Sequence, residues 1–99
     1  MVPAEKNRLK DEATKNIAGI NNQKKAIQNL ELELKQNELT IGSYKEQIKK
    51  LEQQSSMVKK NSEYEAMLRE IAETKLKISE TEDKSLEIMD LILRRLQKN

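Results

Sequence analysis

The sequence predicts an all-α protein, a long antiparallel two-helix coiled-coil hairpin that is expected to dimerise, and three observations carry that prediction. The first is composition. Of 99 residues, 35% are hydrophobic and 36% charged, against about 45–50% and about 25% in ordinary domains, which is too little apolar surface for a thick closed core. The second is an apolar repeat of 3.5 residues along the first half of the chain. The third is a single interruption of that repeat, followed at once by the signals of a new helix.

The repeat starts at Leu9 and runs in alternating steps of four and three through Ala13, Asn16, Ile20, Gln23, Ile27, Leu30, Leu34, Asn37, Ile41, Tyr44, Ile48, Leu51, Ser55 and Val58. Eleven of these fifteen positions are apolar. High charge and few aromatic residues also mark disordered chains, but a seam sustained over seven heptads is the pattern of a left-handed coiled coil. Ala13, Ile20, Ile27, Leu34, Ile41 and Ile48 take the a positions; Leu30, Tyr44, Leu51 and Val58 take d. Pro3 suits a first helical turn, where its missing amide hydrogen has no helical partner to lose.

The stretch from Gln53 to Ser62 breaks the pattern and predicts the turn, at about residues 57–62. Ser62 followed by Glu65 has the spacing of a capping box, with Asn61 as the competing cap. Glu63 and Glu65 place negative charge at the positive end of the second helix dipole. A second seam reads Tyr64, Met67, Ile71, Thr74, Ile78, Thr81, Ser85, Ile88 and Ile92. The chain therefore divides into a helix over about 3–56, a turn, and a helix over about 63–97, forming one unit. A turn centred near residue 60 or 61 brings Asn37 level with Ser85, Leu51 with Ile71 and Leu30 with Ile92. A polar layer of that kind sets register at a cost in stability.

At 1.5 Å per residue the arms come to ~80 Å and ~50 Å, so the first helix overhangs the second. Leu9, Ala13, Ile17 and Ile20 share one face of the overhang, while Leu86, Met89, Leu93 and Leu96 join Ile88, Leu91 and Ile92 in making the end of the second helix apolar nearly all round. One seam cannot bury so many. These eight residues (Leu9, Ala13, Ile17, Ile20, Leu86, Met89, Leu93, Leu96) are the candidate self-association surface, covered by a second hairpin or by further parts of a longer protein.

No enzyme is expected. The chain has no Cys and no His, which removes thiol nucleophiles, imidazole bases and the common zinc ligands. Carboxylates such as Glu70 and Glu73 read as solvated helix faces, and Ser55 and Ser56 lie in the turn without a base. No cofactor, metal site, small-molecule substrate or membrane contact is expected, and the cytoplasm is the expected setting. Net charge is only +2, but locally Lys45, Lys49, Lys50, Lys59 and Lys60 face only Glu46 and Glu52, so the tip end of the first helix is basic. The second helix is acidic from Glu63 to Asp90, which predicts electrostatic pairing along the first. The alternative is that Lys59 and Lys60, with Arg94, Arg95 and Lys98 at the other end, meet phosphates or an acidic protein surface. Met57, Met67 and Met89 are read as seam filler, and Tyr64 as a residue sealing the tip against the turn or, alternatively, an exposed anchor.

The run Val58-Lys59-Lys60-Asn61-Ser62-Glu63-Tyr64-Glu65-Ala66-Met67-Leu68-Arg69-Glu70-Ile71, followed by Ile78-Ser79-Glu80-Thr81-Glu82-Asp83, resembles the tip of the coiled-coil hairpin in the bacterial C4-type zinc-ribbon family. Val2-Pro3-x-Glu5 is similar to a kinked region of that family's first helix. The likeness is clearest over about 57–90. It implies a two-helix arm and an adaptor or regulatory role, with partners such as the alternative sigma factor sigma-54, flagellar or type III secretion components, or RNA. The family's zinc site does not carry over, because it takes four cysteines. The candidate partner contacts at the tip are Lys59, Lys60, Asn61, Glu63 and Tyr64. A self-assembling structural coiled coil, or RNA binding through the basic tip, are the competing expectations.

Overall fold

The computed structural model describes the backbone of residues 2–97 and the side chains of residues 10–97. Two helices make up the fold: α1 (Val2–Ser55), 54 residues long, and α2 (Asn61–Gln97), 37 residues long. Residues 56–60 turn the chain so that α2 returns along α1, giving a rod of 90 × 16 × 14 Å. The fold is the all-α helical hairpin that the heptad repeat predicts.

Burial follows the seam, with Tyr64 at the start of α2 as an exposed exception. In the paired part of α1, Gln23, Ile27, Leu30, Leu34, Asn37, Ile41, Tyr44, Ile48, Leu51, Ser55 and Val58 are all at least half-withdrawn from solvent, and in α2 the same holds for Met67, Ile71, Thr74, Ile78, Thr81, Ser85, Ile88 and Ile92. Among the described residues only Leu51, Ile71, Thr74 and Ile88 are buried, and none completely. Ala13, Asn16 and Ile20 keep the heptad spacing but are exposed, because they lie beyond the level of Gln97.

Register is visible in one contact. The Asn37 side-chain amide donates to Ser85 Oγ at 3.3 Å, so Asn37 and Ser85 share a layer. Heptad steps outward from that pair put Leu34 level with Ile88, Leu30 with Ile92, Ile41 with Thr81, Tyr44 with Ile78, Ile48 with Thr74 and Leu51 with Ile71. The hydroxyls of the polar layers are satisfied inside their own helix: Thr74 Oγ1 donates to the Glu70 carbonyl at 2.8 Å, Thr81 Oγ1 to that of Lys77 at 2.8 Å, and Ser85 Oγ to that of Thr81 at 3.1 Å. Among the described residues no buried side-chain polar atom lacks a partner. Thr74, at 3% exposure the most buried residue, is thus a β-branched filler whose hydroxyl bonds back to the preceding turn.

The turn differs from expectation by one or two residues. Helix α2 begins at Asn61 because the Lys60 carbonyl already accepts from the Tyr64 amide at 3.0 Å. Asn61 and Ser62 therefore lie within the first turn, and neither side chain bonds to a helix amide among the described residues. The capping box expected at Ser62 and Glu65 does not form.

Ile71 sits in the best-packed apolar layer, against Leu51. Ile71→Ala is expected to cost about 2–4 kcal/mol, read as a lowered midpoint in thermal unfolding followed by circular dichroism. Asn37→Leu is expected to act in the opposite direction, raising stability by on the order of 1 kcal/mol, because Ser85 keeps its bond to the Thr81 carbonyl and an amide leaves the seam.

Candidate protein-binding surfaces at the two ends of the rod

The tip is built by the way α1 stops. No residue of the described chain other than glycine has positive φ, and neither glycine does, so the helix ends without a left-handed cap. Its last carbonyls are instead closed by hydroxyls and a tightened turn. Ser55 Oγ donates to the Glu52 carbonyl at 2.8 Å and Ser56 Oγ to that of Gln53 at 2.7 Å; the Met57 amide donates to the Gln54 carbonyl at 3.0 Å. These bonds meet the carbonyls that a helix C-terminus otherwise leaves to water. They also account for both serines at the turn without any chemistry.

The connection that follows turns its side chains outward. Met57 is 81% exposed and Tyr64 42%, while Val58 is half-buried as the last seam residue of α1. Lys59, Lys60, Asn61 and Glu63 are exposed beside them. The tip thus gathers two cations, a carboxylate, an amide, a thioether and a phenol on one convex end. Tyr64, with α2 starting at Asn61, stands on the first turn of that helix and is partly exposed there. Met57 and Met89 are likewise exposed, and of the three methionines read as seam filler only Met67 is half-buried.

Among the described residues no ion pair joins the two arms. Among the described residues the pair that forms is Arg94 Nε with Asp90 Oδ2 at 3.0 Å, one turn apart on α2 and largely exposed. The reason lies in which side of α1 carries charge. On one flank of the seam α1 presents uncharged Gln54, Gln47 and Thr40 opposite Glu70, Lys77 and Lys84; on the other, Lys45 and Glu38 come opposite the like-charged Lys75 and Glu82, while Lys49 and Lys50 point away from α2 by heptad position. Lys59 and Lys60 accordingly join no ion pair among the described residues.

At the open end the Gln23 side-chain amide donates to the Arg95 carbonyl, satisfying a carbonyl near the end of α2. Shallow grooves lined by Gln23, Leu91, Arg94 and Arg95, and by Ala26, Leu30 and Glu33, flank this contact. Ile17, Ile20, Leu86, Met89, Leu93 and Leu96 are exposed around it, and Ala13 is exposed farther along the overhang. The side chain of Leu9, and Lys98, lie outside the described residues. Among the described residues no three His, Cys, Asp or Glu side chains come together as a metal site, and no helix is long and apolar enough to cross a membrane.

Because no ion pair among the described residues crosses the seam, raising salt to ~1 M is expected to shift the melting midpoint by no more than a few degrees. A large fall in the midpoint would show that charge matching does hold the arms together. Compared with known proteins, the chain matches no protein-family model, no curated protein and no solved structure.

Proposed function

We propose that this chain is a non-catalytic arm that binds a protein partner through the hairpin tip. The observation that supports this most directly is the composition of the tip. Met57, at 81% exposure, stands with exposed Tyr64, Lys59 and Lys60 at the far end of a 90 Å rod. Nothing in the fold needs these side chains there, since the turn is already closed by Ser55, Ser56 and the Met57 amide.

A polarizable thioether and an aromatic ring supply adaptable apolar contact, and two unpaired ammonium groups attract an acidic surface and raise the rate of encounter. The partner this chemistry fits is a protein with an acidic rim around a small apolar recess. A two-helix rod offers no enclosed pocket in which to assemble an acid, a base and a nucleophile. The resemblance of the tip to the zinc-ribbon family favours partners in the transcription or flagellar secretion machinery, and this part of the proposal rests on residues 57–90 alone.

The test is direct binding of the full chain to purified candidates of those two machineries, beside a chain carrying Lys59→Glu, Lys60→Glu and Tyr64→Ala. The triple variant is expected to keep the helical circular dichroism signal and lose binding at least about 100-fold, since removing an aromatic anchor and reversing two charges each weaken such contacts. Binding that survives the triple variant would remove the tip from the interface. Salt-sensitive RNA binding lost on Lys59→Glu and Lys60→Glu, with no protein bound, would replace this reading with the RNA one.

A further inference from the structure

The residue that follows each seam position lies on the flank of the seam. Along the middle of α2 this flank is polar, with Lys75, Ser79 and Glu82, but toward the open end it reads Leu86, Met89, Leu93 and Leu96, following Ser85, Ile88, Ile92 and Arg95. These four are 63%, 46%, 56% and 53% exposed. Their spacing of three, four and three is heptad spacing, so α2 carries a second, shorter seam beside the first. The stripe lies in the paired part of the hairpin, where α1 already occupies the neighbouring face, and its exposure does not depend on where either helix stops.

We propose that a second copy of this chain docks on this stripe, antiparallel to the first, to form a two-fold dimer of hairpins. Three features of the structure select a second copy. The three-four-three spacing reads the same in both directions, so an antiparallel copy brings Leu86 opposite Leu96 of the second copy and Met89 opposite Leu93 of the second copy, and the two-fold makes each contact twice. Charge does not oppose the approach: from Leu86 to Gln97, Glu87 and Asp90 balance Arg94 and Arg95, and Asp90 is already paired with Arg94.

The third feature is continuity with the intramolecular seam. Each stripe residue directly follows a seam position, so a second copy docked there extends the surface that the hairpin already buries and does not open a separate one. The dimer points its two tips in opposite directions, so the stripe and the tip are separate surfaces.

Sedimentation equilibrium of the full chain over a wide concentration range is expected to show a monomer–dimer equilibrium. Leu93→Glu, which places a carboxylate against Met89 of the second copy twice per dimer, is expected to weaken it at least ~100-fold while the helical signal is unchanged. As a second measurement, mixing Met89→Cys chains with Leu93→Cys chains under oxidising conditions is expected to yield the mixed disulfide ahead of either like pair. A chain that stays monomeric at every concentration overturns the proposal and leaves the stripe to a different protein. So does a dimer indifferent to Leu93→Glu, and so do like-pair disulfides in excess, which indicate a parallel arrangement. None of these outcomes bears on partner binding at Lys59, Lys60 and Tyr64.

Discussion

Two helices in contact can bury one stripe each, and the rest of this structure follows from that limit. A heptad stripe is two positions in seven, so most residues of such a rod must tolerate water. The composition obeys this, with charged side chains as frequent as hydrophobic ones. It also explains why, among the described residues, only Leu51, Ile71, Thr74 and Ile88 are buried and none completely: a two-helix seam is open along both flanks, and most seam residues are shielded on one side only. Stability in such a molecule is spread thinly over many layers, and losing one of the few well-buried ones is felt along the rod.

The polar layers are the second consequence. A seam made only of Leu and Ile would pair in several registers and in either direction with little difference in energy. Here Asn37 meets Ser85, while Thr74 and Thr81 turn their hydroxyls back onto their own helix. The two kinds of polar residue have different effects. The back-bonded threonines behave as valine-like fillers and discriminate little between registers. The Asn37 amide must reach across the seam to find its acceptor, so a slip of one heptad would set it opposite Ile78 or Ile92 and leave its donors to solvent. Register is therefore concentrated in one pair, and the apolar layers supply affinity around it.

How much of this was legible in the sequence depends on the range of the interaction involved. The seam was readable because burial at Ile27, Leu34, Ile41 or Ile71 is dictated by a repeat long enough to outweigh local exceptions, and the level of Asn37 with Ser85 followed from counting outward from the turn. The start of α2 was less readable. Asn61, Ser62 and Glu65 carry capping signals worth about 1 kcal/mol each, small enough for the geometry of the return to set the first helical bond at the Lys60 carbonyl instead. The exposure of Tyr64 and Met57 follows from that shift and from the convex shape of the turn. Charge was misleading for another reason. Counting acids and bases along α1 and α2 suggests attraction, but the pairing depends on which flank each charge occupies, and Gln47, Gln54 and Thr40 hold the flank that Lys77 and Glu70 face.

A one-seam rod also constrains where function can sit. Any residue whose identity the seam requires is unavailable for recognition, and any large apolar residue the seam does not require needs some other reason to persist against its solubility cost. Along the described length part of the surplus is dispersed, at Leu32, Leu39, Leu68 and Leu76 and at Ile17 and Ile20 on the overhang, but two groups stand together, Met57 with Tyr64 on the tip and Leu86, Met89, Leu93 and Leu96 near the open end. These two places differ in chemistry: the tip is convex and flanked by unpaired lysines, whereas the open-end stripe is straight, helical and nearly neutral. A convex cationic tip suits a recess in a dissimilar protein, since two such tips would repel. A straight neutral stripe with palindromic spacing suits its own copy. The physical difference between the surfaces, more than their mere exposure, is the ground for proposing recognition of another protein at one and self-association at the other.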